Sequence, residues 1–483
     1  MFSLKPLSAA ILIVLSAQAM AANSISNQTQ DGTENIADVL QIQASASTTT
    51  QNQTGTGNDV AAKQQLASST IEQTQNGDYN ASYAEQIDDN NSTISVTQEG
   101  SFNSAHASQS IGGGGNEAVQ EQNGSGNLSF VYQERQSDSK GTTQQLGDYN
   151  EANIEQLEDG GARNSALVIQ TGNGNYGTSE HINHQDGQIE IRQTGDNNYA
   201  YSDQRYGSGS KSNVNQNGEG HGVEVWQEGQ TNSQSTINQY GVANETGIDQ
   251  SFGENNTALV GQSGDTNAVY ADQYEANQAK LSIYQDGTSN LHYTYQTGDN
   301  QTLNVSSVGQ DNKVYASNWK GPQLGGQFGS NQTANINQSG NGNTANFTQK
   351  DSGHVLNLNQ HLDGNTATVV QADTNNELWF DQNGTDNILI ADQRGTGNLA
   401  QGTTEGTRNK VELDQSGGDN QAYTTQLYGE DNTITITQTD NLNLAYVTQG
   451  GNNNSATINQ SGNSQYSNVQ QTGDGNKANV VQQ

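Results

Sequence analysis

Residues 338–349 read QSGNGNTANFTQ, with glycine two, asparagine five and alanine seven positions after the opening glutamine, and a second glutamine closing the stretch. The frame continues on both sides. Gln327, Gln338, Gln349, Gln360, Gln371, Gln382, Gln393, Thr404, Gln415, Gln426, Gln438, Gln449, Gln460, Gln471 and Gln482 follow at steps of 11 residues, apart from 12 between Gln426 and Gln438. The asparagine recurs at Asn343, Asn376, Asn387, Asn398, Asn409, Asn420, Asn432, Asn443, Asn454 and Asn476. Upstream the unit Q-x-G-x-x-N-x-A-x-x-x-Q persists with more slack, from Gln75–Gln86 (QNGDYNASYAEQ) to Gln285–Gln296, and Gln156 to Gln170 takes 14 residues. A period held this long is the mark of a repeat architecture.

The second part of each unit alternates. Asn343, Ala345, Phe347 and Gln349 share one parity, as do Asn454, Ala456, Ile458 and Gln460, while the other parity carries Thr, Ser, Asn, Asp, Glu, Lys and Tyr. Period two is the period of a β-strand, with the Asn, aliphatic and Gln positions on one face. The x-G-x-x piece between strands supplies NG, GD and GSG, where glycine takes the positive φ of a tight turn.

One strand and one turn occupy 11 residues, so two of each make a rung of about 22 that folds back with its inner faces together. The expected fold is all-β: a β-solenoid with two strands per rung, cross-β and amyloid-like. Once residues 1–21 are removed, it would stack 21 rungs over roughly 100 Å at the spacing of paired strands. The inner glutamines and asparagines need partners, because an unmet buried amide costs about 1–3 kcal/mol. Stacking provides them, each amide donating to its copy one rung away. The glutamines and asparagines named above, Thr404 aside, are the expected structural amide ladder.

Composition sets limits. Only 29% of the 483 residues are hydrophobic, and mean hydropathy is -0.88, too little apolar surface for a conventional core. The formal charge of -35 repels polyanions and so argues against nucleic acid as a partner. There is no cysteine, hence no disulfide and no thiol chemistry.

The first residues, MFSLKPLSAAILIVLSAQAMAA, carry Lys5, an apolar stretch from Leu7 to Leu15 and the small-x-small site Ala19-Met20-Ala21. They read as a secretory signal cut after Ala21 or Ala22. No later segment is apolar enough to span a bilayer, so no stable membrane insertion is expected.

Other motifs have bland readings. GNGNYG at 172–177 has no βαβ context for a dinucleotide. His181 and His184 lack an evident third metal ligand and read as a solvated pair in a long loop. Asp88-Asp89 reads as a hydrated turn. Clusters such as DGGARN could hold calcium weakly, but the nonapeptide of calcium rolls is missing. No catalytic, cofactor or metal residue is expected, and the chain is not read as an enzyme. Tyr83, Tyr201, Tyr293 and Tyr423 point outward and would pack across strands. Turn acids, among them Asp78, Asp148, Asp196, Asp299, Asp419 and Asp474, would delay assembly until export.

The repeated unit behind a secretory signal, and the Gly/Asn/Gln-rich composition, resemble the curlin repeat of curli fibre subunits, the bacterial functional amyloids. The resemblance covers most of residues 53–483. It implies export through the inner membrane and a dedicated outer-membrane pore, then nucleated polymerisation into extracellular fibres for surface adhesion and biofilm matrix. The partners implied are other copies of the chain, head to tail, together with the pore and a nucleator subunit. The expected organisation is a signal peptide (1–21), an irregular N-terminal segment (22–52), an irregular repeat block (53–317), a Gly/Pro interruption (318–326) holding Pro322, and a regular block (327–483). A minor or nucleating subunit, or a monomeric solenoid adhesin, are the alternatives.

Overall fold

The structure, a computed structural model, describes residues 23–157, 160–318 and 325–483. The expected signal segment with its cut at Ala21, and Pro322, lie outside the described residues. Every regular element described is a β-strand.

Strands alternate between two sheets, and every pairing within them is parallel. The first sheet runs from Ile25–Thr33 to Tyr466–Thr472 and has 20 strands. The second runs from Ile36–Ile42 to Lys477–Gln482. At one level the second sheet is split: Lys313–Ala316 and Gly326–Ser330 are two halves of one strand, each pairing with Leu291–Asp299 below and Thr344–Ser352 above. The second sheet is therefore open, with the same number of levels as the first. The chain forms a β-solenoid of 20 rungs, about 90 Å long at the usual strand spacing.

Rung length varies around the 22 expected. Thr333 pairs with Val355 and Leu378 with Ala400, 22 residues apart. Ser212 pairs with Ser235 and Ala258 with Leu281, 23 apart. The N-terminal half places its extra residue in the arch that leads back to the first sheet, where isolated parallel bridges such as Gln185–Ser208–Thr231–Glu254 widen the turn. These longer steps give 20 rungs where 21 were expected. The longest step, Leu303 to Ala334, is 31 residues, and both sheets run through it. Single extra residues leave the register intact because they sit in the arch, whereas the extra residues of the 31-residue step fall between Ala316 and Gly326 and split a second-sheet strand, whose two halves each keep their pairing.

The inner faces meet as the alternation requires. Ala334, Ile336, Ala345 and Phe347 are buried from one rung, and the same positions above and below join them in one continuous apolar cluster. The middle of the core is less uniformly aliphatic than expected. In the first rungs Gln28 Nε2 donates to Gln51 Oε1 at 2.9 Å and Gln51 to Gln73 at 3.0 Å, an additional amide column between the sheets. Size is balanced along a column too: Phe380 lies in register with Gly402, whose missing side chain leaves room for the ring.

The turns explain the obligatory glycine. Gly264 has φ +97, and a Cβ there would sit 2.1 Å from the carbonyl oxygen of Gly287 one rung on. Stacked arches at this spacing admit no side chain in that direction. At Leu362 the same arch uses φ 67 without glycine, which keeps the position unusual.

Candidate functional site: the amide ladders

An inward residue, glutamine except at a few levels, closes each strand at the same height. Gln338 Nε2 donates to Gln360 Oε1 at 2.9 Å, and Gln349 to Gln371 at 2.8 Å. The same bond runs Gln327 to Gln349, Gln360 to Gln382, Gln371 to Gln393, Gln393 to Gln415, Gln415 to Gln438, Gln426 to Gln449, Gln438 to Gln460, Gln449 to Gln471 and Gln460 to Gln482. The second N–H turns across the rung to a main-chain carbonyl, as from Gln349 to Thr333 at 3.1 Å. In every one of these pairs the donor belongs to the rung nearer the N-terminus. Two breaks occur in the first-sheet column: Ser307 Oγ donates to Gln338 Oε1 at 2.7 Å, and Thr404 Oγ1 to Gln426 Oε1 at 3.1 Å. Below Thr404, Gln382 bonds the carbonyls of Thr366 and Asn387 instead.

The asparagines form columns at the two mouths of the arches. Asn387 N–H donates to Asn365 Oδ1 at 3.1 Å, Asn409 to Asn387, Asn432 to Asn409, Asn454 to Asn432 and Asn476 to Asn454, while Asn343 receives from Asn365. On the other side Asn398 donates to Asn376, Asn420 to Asn398 and Asn443 to Asn420. Each Nδ2 also ties down an arch, for example Asn454 to Gly473 O at 2.7 Å. Here Oδ1 faces the C-terminal neighbour, whose main-chain N–H it accepts.

Sequence reasoning named these residues for the C-terminal half only and passed over Asn365 and the upstream members. Asn80, Asn103, Asn127, Asn150, Asn175 and Asn198 continue the first column. The signal was present: each lies five residues after Gln75, Gln98, Gln122, Gln145, Gln170 or Gln193.

Three residues differ from their expected exposure. His181 and His184 are both buried, not solvated. His181 occupies the inward glutamine position between Gln156 and Gln204, so strand alternation points it to the core. His184 falls in the widened arch. Neither ring makes a well-formed hydrogen bond, although the Gln204 amide lies beside His181. Burial, with the nearby His184, pushes the His181 pKa down to about 3, and burial brings His184 to about 4. Asp89 is also buried, unlike Asp88. Its carboxylate takes hydrogen bonds from Ser92 and from Asn116 Nδ2 while burial raises its pKa.

The turn acids join the stack. Asp78, Asp148, Asp196 and Asp474 accept the main-chain N–H of Thr56, Ser125, Asn173 and Asn452 from the rung below at 2.8–2.9 Å. Outward tyrosines stack along the axis: Tyr423 on Tyr446 at 4.8 Å, and Tyr270, Tyr293 and Tyr315 in sequence at 5.2 and 6.0 Å. Tyr83 meets His106 edge-on and Tyr201 packs on Trp226.

Five stretches, residues 90–119, 186–218, 406–439, 441–462 and 451–483, match the family model of the curlin associated repeat. The chain carries curlin repeats. The matched stretches fall in both halves of the solenoid, so the longer N-terminal rungs and the regular C-terminal ones are variants of one unit. No curated protein matches the chain. The curlin repeat and the β-solenoid are both structural features.

Proposed function

We propose that this curlin-repeat chain is a secreted subunit that assembles head to tail into extracellular amyloid fibres for surface adhesion and biofilm matrix. The observation that carries this reading is the direction of the ladders. Each rung offers glutamine N–H donors and asparagine Oδ1 acceptors towards the C-terminal side, and glutamine Oε1 acceptors and main-chain N–H donors towards the N-terminal side. The two faces of any such stack are therefore complementary to each other and not to themselves. That asymmetry favours head-to-tail contacts, which propagate into a filament when no rotation closes them. Unpaired strand edges at the stack's faces add main-chain hydrogen bonds to the same contact.

The outward faces suit a soluble precursor. Self-repulsion from a charge of -35 opposes premature stacking, and salt screens it. An export pore in the outer membrane and a nucleating subunit are the partners that this reading requires.

Incubation of the purified mature chain with thioflavin, followed by electron microscopy, tests the proposal. Fibres with a strand repeat along their axis, forming sooner at higher salt, are expected. Fibres that appear only after a second protein is added would make this chain the nucleated partner in a division of labour. Persistent monomers under all salt conditions would contradict the proposal and leave the adhesin reading.

A further inference from the structure

Two glycines on the outer face of the second sheet, Gly222 and Gly247, have no conformational reason to be there. Gly222 opens its strand and Gly247 lies within the strand of the next rung, and neither takes left-handed backbone. Neighbours leave room for a side chain at Gly222, where a Cβ would come no nearer than 3.9 Å to Glu245, and at Gly247 a Cβ would meet the Tyr270 ring at 3.3 Å, so that the ring would have to shift by a few tenths of an ångström. Glycine weakens a strand, and where no turn or bulge requires it, it marks a place that something else approaches closely.

The missing side chains open a cleft of about 520 Å³ floored by the sheet. Its walls are aromatic: Tyr199 and Trp226 on one rung side, Tyr270 on the other. The walls are braced from behind, Trp226 against Tyr201 at 4.8 Å and Tyr270 against Tyr293 at 5.2 Å. Tyr199 and Trp226 each keep 40% of their surface exposed. Three carboxylates reach the same space, Glu224, Glu245 and Asp249, and no lysine or arginine lines it. Glu245 is fixed by the Tyr270 hydroxyl, which donates to Oε1 at 2.5 Å.

We propose that this cleft binds a small organic ammonium ion of about the size of choline. Aromatic faces attract an alkylated cation through the ring quadrupole while its methyl groups bury apolar area. The cleft's carboxylates supply the opposite charge, with the Arg205 guanidinium 5.9 Å from the Trp226 ring centroid beside Asp249, and the chain's overall negative field concentrates cations around it. A neutral sugar would also stack on the rings, but it would gain nothing from three carboxylates and would find no amide or guanidinium donors in the lining. The site sits on the flank of the solenoid, away from the stacking faces, so it is open in a single chain and in a fibre alike.

Calorimetric titration of the full chain with choline chloride tests this, compared with glucose and with 3,3-dimethylbutan-1-ol, which has choline's shape without its charge. Saturable choline binding is expected, with the neutral alcohol at least about 10-fold weaker. Gly247→Val, which suits a strand, should fill the cleft and weaken choline by more than about 10-fold while circular dichroism stays that of the parent. Trp226→Ala should cost about 10-fold, and Glu224→Gln should lower both affinity and its salt dependence. Trp379→Ala, on the outer face of the other sheet, should change nothing. Absence of choline binding, equal binding of the alcohol or of glucose, or an unaltered titration in Gly247→Val would overturn the proposal.

Discussion

His354 stands in the asparagine column, and its Nδ1 accepts the main-chain N–H of Asn376 at 3.3 Å while Nε2 faces the carbonyl of Lys350. The ring thus serves as an asparagine Oδ1 only while Nδ1 carries no proton. In the other asparagine column His221 holds the corresponding place below Asn244, at 3.2 Å.

Acid should therefore act on this column. Burial holds the His354 pKa below its ordinary value, near 6.5 in an unfolded chain. As pH falls through 6.5 the unfolded chain takes up the proton first, so this contribution to stability is whole above that pH and is lost progressively below it. His354→Asn should make the urea midpoint less sensitive to pH between 7.5 and 5. A pH profile that stays parallel to the parent's would show that His354 does not titrate across unfolding.

Thr404 interrupts a glutamine column, leaving Gln382 without an amide above it. Thr404→Gln should restore that bond and stabilise the chain by about 1 kcal/mol. The reverse change in an intact stretch, Gln262→Leu, removes the acceptor shared by Gln239 Nε2 and Thr246 Oγ1 and the donor to Gln285 Oε1 and should cost about 1–3 kcal/mol. Urea unfolding of the two variants gives both signs.

Legibility followed from what repeats. The strand period, the two strands per rung and the inward Ala, Ile and Gln positions are visible because each recurs at fixed spacing from Gln327 onward. The slack of the first half was visible in longer steps such as Gln156 to Gln170, but the count of 21 rungs missed it, since dividing by 22 ignores the extra residue an arch can absorb without shifting the ladder. Single departures were hidden for a related reason: His181, His184 and Asp89 read as surface residues by type, and only their place in the strand and arch columns buries them. The cleft around Gly222 and Gly247 was invisible because glycine is frequent in this chain and its meaning depends on the backbone it occupies.

Core size balance gives a third test. A Cβ on Gly402 would lie 2.2 Å from Thr424 Oγ1 and 2.4 Å from the Phe380 ring. Gly402→Ala should destabilise by about 1–3 kcal/mol through overpacking. Adding Phe380→Leu should recover part of the loss, and a double-mutant cycle measures how much.

A buried outward-row carboxylate gives a fourth. Burial, with Asp249 one rung away, pushes the Asp272 pKa up to about 7. With the folded pKa above the unfolded one, its contribution is fully present below about 3.8 and is lost as pH rises through 7. Asp272→Asn should match the parent near pH 4 and exceed it at pH 8, by on the order of 2 kcal/mol. An equal advantage at both pH values would mean that ionisation is not the cause.

The central claim is that glutamine side chains bond one another along the solenoid axis. Exchange of the side-chain amide protons, followed by NMR in a chain labelled with nitrogen-15 at glutamine, addresses it most directly. The inward glutamines should exchange more than about 100-fold more slowly than free glutamine, as buried hydrogen-bonded protons do, with outward Gln401 and Gln421 exchanging fast. Free-glutamine rates at Gln338, Gln349 and Gln360 would contradict the ladder and the assembly built on it.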